Sequence, residues 1–106
     1  MDREFARYLD ALKKVDEELK ASDEWTTRGD KLAADGKFSE AEQAYRKALD
    51  SFEFSDGAHY GLGKLFEILH KYDKAEEEYS IVAILKPENK EVKEALTRVR
   101  KFRAQK

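Results

Sequence analysis

Apolar side chains recur at helical spacing from the start of the chain. Phe5, Tyr8, Leu9, Leu12, Val15 and Leu19 fall on one side of a helix drawn through residues 3–20. Asp2 stands where a side-chain cap is needed. Asp16 sits at the edge of this stripe. Further along, Trp25, Gly29 and Leu32 share a face, as do Leu62, Phe66 and Leu69, and Val92, Ala95, Leu96 and Val99 line a helix over residues 90–103. Gly36, in Ala34-Asp35-Gly36-Lys37, fits the left-handed residue that ends a helix. Ser39 and Glu42 after it have capping-box spacing, and Asp73 and Glu76 hold the same places later on. His70 stands where a second Gly36 would be, which predicts a strained or reshaped turn. The pattern predicts an all-α chain of six helices, the first covering its neighbours.

Residues 22–55 align without a gap on residues 56–89, a period of 34. Gly29 recurs as Gly63, Lys37 as Lys71, Ala41 as Ala75, Glu42 as Glu76 and Tyr45 as Tyr79; Leu32 matches Phe66 and Phe38 matches Tyr72. Small and aromatic residues thus return where two helices must approach closely. Gly29 and Gly63 leave room for a second helix despite the roughly 1 kcal/mol that a mid-helix glycine costs against alanine. Ala41 and Ala75 offer the matching flat surface.

Period and placement resemble the tetratricopeptide repeat. The first copy carries Trp25, Gly29, Leu32, Ala41 and Tyr45, followed by Ala48; the second carries Leu62, Gly63, Phe66, Ala75, Tyr79 and Pro87. Arg28, His59, Val82 and Glu53 depart from the family's usual residues. The resemblance implies antiparallel helix-turn-helix pairs stacked as a short right-handed superhelical solenoid. The chain then reads as one domain: 1–21 an N-terminal amphipathic helix, 22–55 and 56–89 the two repeats, 90–106 a closing helix.

Composition narrows the function more than the fold. Charged residues make up 42% of the chain, yet 21 Lys plus Arg nearly balance 23 Asp plus Glu, for a net charge of −2. A phosphate backbone calls for a concentrated basic face, so nucleic acid is not an expected partner. Arg98, Arg100, Lys101, Arg103 and Lys106 form the one basic cluster, where cations complement a helix C-terminus. Cysteine is absent, which removes disulfides, thiolate metal sites and thiol nucleophiles. No segment reaches the ~20 apolar residues of a membrane span, and Asp2, Glu4 and Asp10 occupy the place of a signal peptide's apolar stretch. A cytoplasmic protein with no membrane partner is expected.

Nothing in the chain gathers into catalytic chemistry, and no enzyme activity, cofactor or metal is expected. The two histidines, His59 and His70, have no cysteine or third histidine to join. His59 occupies the place of Trp25 and is expected to pack between helices. Runs such as Glu76-Glu77-Glu78, and pairs such as Asp10 with Lys14 and Glu42 with Arg46, read as solvated helix faces. Gly57, Gly61 and Gly63 lie within a helix, unlike a phosphate-binding loop.

Another protein or peptide is the expected partner. In the family, first helices of successive repeats line a concave groove. The corresponding positions here are Thr26, Thr27 and Asp30, then Tyr60, Lys64 and Glu67, with Arg98 and Lys101 from the closing helix. Tyr60 is the best anchor among them. The branch of the family that grips the acidic tails of Hsp70 and Hsp90 uses a clamp of Lys, Asn, Asn, Lys and Arg. The matching positions hold Thr26, Asp30, Gly61, Glu91 and Ala95, so such tails are not expected to bind. The alternative is a structural or self-assembling scaffold whose end helices, or an outer patch of Phe52, Phe54 and Phe102, dock another copy or a larger complex.

Overall fold

The computed structural model describes residues 2–105 and is helical throughout, with no strand among the described residues. Five helices follow in order: α1 (Arg3–Ala34), α2 (Phe38–Ser51), α3 (Asp56–Ile68), α4 (Tyr72–Leu85) and α5 (Lys90–Ala104). Adjacent helices pack as hairpins, α1 on α2, α3 on α4 and α4 on α5, while α1 and α2 also reach α3. No described helix is long and apolar enough to cross a membrane.

The sixth helix is missing because the first two expected helices are one. No residue between Leu19 and Trp25 breaks a helix: Ala21, Asp23 and Glu24 tolerate the interior, and no glycine or proline intervenes. Asp2 caps the start, its side chain accepting from the Glu4 amide at 3.3 Å. The boundary expected at residues 21 and 22 therefore does not exist. Nor does the N-terminal stripe cover the first hairpin. Every described residue from Asp2 to Lys20 is exposed, because α2 ends level with the middle of α1 and leaves its first half projecting. The molecule measures 62 × 29 × 17 Å in consequence.

The 34-residue sequence period is a structural period. α2 and α4 begin and end 34 residues apart. The turns before them match too: Lys37 donates to the Leu32 carbonyl and Lys71 to that of Phe66, both at 2.8 Å. Gly36 has φ 77° and His70 has φ 61°, so histidine holds the left-handed conformation that its predecessor adopts freely. His70 stacks on Tyr72, with ring centroids 5.7 Å apart. The expected capping boxes do not form. α2 and α4 start one residue before Ser39 and Asp73, with Lys37 and Lys71 as caps that make no side-chain bond.

The core follows the small and aromatic residues. Tyr45 and Tyr79 are buried, with Ala41, Ala48, Ala58 and Ala75 around them and Leu62, Leu65 and Phe66 from α3. Val92, Ala95, Leu96 and Val99 close it from α5, as their spacing predicted. Trp25 and Leu32 are only half-buried, and Leu69, placed on a core face, lies exposed just past the end of α3. A β-carbon at Gly29 would lie 2.6 Å from the Tyr45 ring, and one at Gly63 2.6 Å from that of Tyr79. Each glycine is thus the recess for the tyrosine of its own hairpin. Gly61 has the same task between hairpins, since a β-carbon there would lie 2.4 Å from Tyr45. Tyr45 is the bolt that joins one hairpin to the next.

Lys101 and Arg103 lie in the last turn of α5, where cations complement the helix end as expected, and the arginines of α5 also act across helices. Arg98 meets Glu67 of α3, while Arg103 meets Glu76 at 2.9 Å and Asp73 at 3.1 Å on α4; Arg100 lies 3.6 Å from Glu76. Lys106 lies outside the described residues. Glu42 and Arg46 pair at 3.0 Å as expected, whereas Asp10 and Lys14 form no pair.

Candidate binding trough

Two adjoining depressions run across the first helices. One, of about 260 Å³, is lined by Asp30, Ala33, Ala34, Tyr45, Gly61, Lys64, Leu65 and Ile68. The other, of about 400 Å³, is lined by Lys64, Glu67, Ile68 and Arg98. They share Lys64 and Ile68, so the trough passes from α1 over α3 to α5. Small residues make its floor. Ala33, Ala34 and Gly61 carry no long side chain, and Ile68 stands 54% exposed within it.

Two buried tyrosines set the polar edges from below. The Tyr45 hydroxyl donates to Asp30 Oδ1 at 2.5 Å, and the Tyr79 hydroxyl donates to Glu67 Oε1 at 2.8 Å. Burial first, then the hydrogen-bonded carboxylate, raises the pKa of each tyrosine, so both stay protonated donors. Glu67 also accepts from Arg98 Nε at 2.5 Å and Nη2 at 2.9 Å. That guanidinium, and then the Tyr79 hydroxyl, hold the carboxyl below its usual range against the opposing effect of burial. The bonds from the two buried hydroxyls to a charged acceptor contribute about 1.5–3 kcal/mol each, and the half-exposed Arg98 pair adds less.

The eight residues singled out from the sequence divide. Asp30, Lys64, Glu67 and Arg98 come together on the trough. Both Glu67 oxygens already have partners, so it organises the edge and has little left to offer a ligand. Tyr60 is half-buried, its ring 5.8 Å from that of Tyr79 with the Lys64 ammonium 5.0 Å from its centroid, so it packs inward rather than standing free as an anchor. Thr26 lies against Gly57, and its hydroxyl donates to the Ser22 carbonyl at 2.9 Å. Thr27 is turned away, into a depression with Lys20, Asp23, Glu24 and Arg28. Lys101 is exposed on α5 beyond Arg98 and lines neither depression.

Ala33, Ala34 and Ile68 escape sequence reasoning. Ile68 is the last residue of α3 and stands uncovered there. The clamp positions hold no cation: Asp30 accepts from Tyr45, Gly61 receives the Tyr45 ring, and Ala95 is buried.

The outer phenylalanines do not form one patch. Phe52 and Phe54 pair edge-to-face at 5.9 Å in the loop before α3, while Phe102 stacks on Tyr72 at 5.4 Å, at the start of α4. These places are opposite ends of the α3–α4 hairpin, separated by about 20 Å of helix. His59 lies between helices as expected, with its side chain only 12% exposed, but through polar contacts rather than an apolar ring face. Its Nδ1 lies 2.6 Å from Glu78 Oε2 and its Nε2 2.8 Å from the Glu53 carbonyl, tying α3 to α4 and to the preceding loop. No group of three or more metal-ligating side chains occurs among the described residues.

Compared with family models the chain matches none, and no curated protein matches it significantly.

Proposed function

We propose that this chain is a tetratricopeptide-type, solenoid-like interaction module that takes a segment of another protein into the trough across α1, α3 and α5. The observation that carries the reading is the trough itself: a floor of small and aliphatic residues with a polar edge held in place by Tyr45 and Tyr79. A ligand that seats an apolar side chain against Ile68 and Ala33, and sets a carboxylate near Lys64, fits this chemistry. The 34-residue period in both sequence and helix boundaries supports the family reading. Self-assembly through Phe52, Phe54 and Phe102 gains nothing from their separation.

A peptide-display selection against the chain, followed by titration of the winning peptide, tests this. Ile68→Glu and Lys64→Ala are each expected to weaken binding tenfold or more with unchanged helix content, since both residues are exposed. Acidic chaperone-tail peptides are expected not to bind. Selected peptides indifferent to both variants would remove the trough as the site.

A further inference from the structure

The projecting half of α1 is the part of the molecule that neither the hairpins nor the trough explains. Phe5, Tyr8, Leu9, Leu12, Val15 and Leu19 are 36% to 61% exposed on a single face of it. Phe5, Tyr8, Leu12, Val15 and Leu19 are spaced alternately by three and four residues, the a and d positions of a heptad seam. The seam is in register with the core. Continued by the same steps it reaches Ser22 and Gly29, the two buried residues of α1. The face that packs under α2 therefore runs on past the end of α2 with no helix above it.

Charge on the two flanks says what fits there. In this register the e positions are Asp2, Leu9, Asp16 and Asp23, and the g positions are Glu4, Ala11, Glu18 and Trp25. Every charged residue bordering the seam is acidic. Arg7, Lys13, Lys14 and Lys20 lie on the b and c positions, away from it. A second copy is the wrong occupant in either direction. In parallel, Glu18 would face Asp23 of the second copy. In the antiparallel register confined to the uncovered residues, Glu4 would face Glu18 and Asp2 would face Asp16, each twice by symmetry. Like charges so placed oppose pairing, and they equally oppose an anionic membrane surface.

We infer that the exposed seam of α1 docks an amphipathic helix of another protein whose own apolar seam is flanked by Lys and Arg. The seam from Phe5 to Leu19 is about 21 Å long, which suits a partner helix of about four turns. Glu18 shares a depression with Phe52 and Phe54, so the inner end of that helix meets an aromatic step as well as a carboxylate. This surface is separate from the trough and stands whether or not the trough binds a peptide.

Two peptides of about 18 residues, alike in Leu at a and d but carrying Lys or Glu at all e and g positions, discriminate the occupants. Against the whole chain, the Lys-flanked peptide is expected to bind at least tenfold more tightly than the Glu-flanked one, and less tightly as salt is raised. Leu12→Gln is expected to weaken it tenfold or more, and Ile68→Glu in the trough to leave it unchanged. Glu4→Lys, Asp16→Lys and Glu18→Lys together are expected to reverse the preference. Equal binding of both peptides would overturn the proposal. So would a concentration-dependent rise in mass by light scattering that Leu12→Gln abolishes, which would install a second copy, or partition onto anionic phospholipid vesicles.

Discussion

At the residue scale the decisive contacts are between tyrosine and glycine. Gly61→Ala places a methyl group against the buried Tyr45 ring, which has Gly29 on its other side and is held at its tip by Asp30, so the ring must shift and strain that bond. The gain of about 1 kcal/mol in helix propensity is outweighed, and the variant is expected to lose about 1–3 kcal/mol in denaturant titration. Gly57→Ala, where the nearest side-chain atom is 3.4 Å away, is the contrast and should be neutral or stabilising. His59 makes stability depend on pH. Its bond to Glu78, and then that to the Glu53 carbonyl, raise its pKa above the ordinary 6.5 despite desolvation. The stabilisation is complete below about pH 6.5 and is lost as pH climbs through the higher folded-state value. Thermal melts from pH 5.5 to 8.5 should show this decline in the native chain and not in His59→Gln.

Burial separates the helices at the element scale. α1 has two buried residues in 32, both in its second half, whereas α3 buries six of its 13. Helical hydrogen bonds unsupported by tertiary packing open readily, since isolated helices of this length are marginal in water. Amides of residues 6–18 are therefore expected to exchange at least about 100-fold faster than those of α3. Uniform protection along α1 would mean that something covers its N-terminal half in solution. α5 is the opposite case: Val92, Ala95, Leu96 and Val99 leave it no exposed seam, and Arg98 and Arg103 fasten its outer edge to α3 and α4. Those ion pairs are half-exposed and each adds little, so α5 is held mainly by its apolar face.

For the whole molecule the consequence is an elongated shape. The Cα radius of gyration is 16.5 Å, against about 13 Å for a compact domain of this length. Solution scattering should return a maximum dimension above 60 Å and a mass near 12.3 kDa. Doubled mass with little added length would point to paired α1 helices. The two binding surfaces sit differently in this shape. The trough crosses three helices and needs the hairpins correctly spaced by Tyr45, whereas the α1 seam belongs to one helix. A Gly61→Ala variant that shifts the spacing should therefore disturb trough binding before it disturbs the seam.

The local rules of the chain were legible before any tertiary contact. Helical period, the glycine at residue 36, the left-handed strain at His70 and the four-residue core of α5 all follow from which side chain occupies which position. The 34-residue repeat did the same for the matching of α2 with α4. What the sequence left open was where burial stops. An apolar stripe from Phe5 to Leu19 has the pattern of a covered helix, and only the length of α2 relative to α1 leaves it bare. Ile68, at the last position of α3, stands exposed in the trough, which no pattern along the chain announces. Asp30 and Glu67 look like free surface carboxylates until Tyr45 and Tyr79 rise from the neighbouring helices to meet them. Periodicity records which face of a helix is apolar, a property of the chain alone. Whether another surface covers that face depends on helix lengths and crossings, which only the packed molecule has.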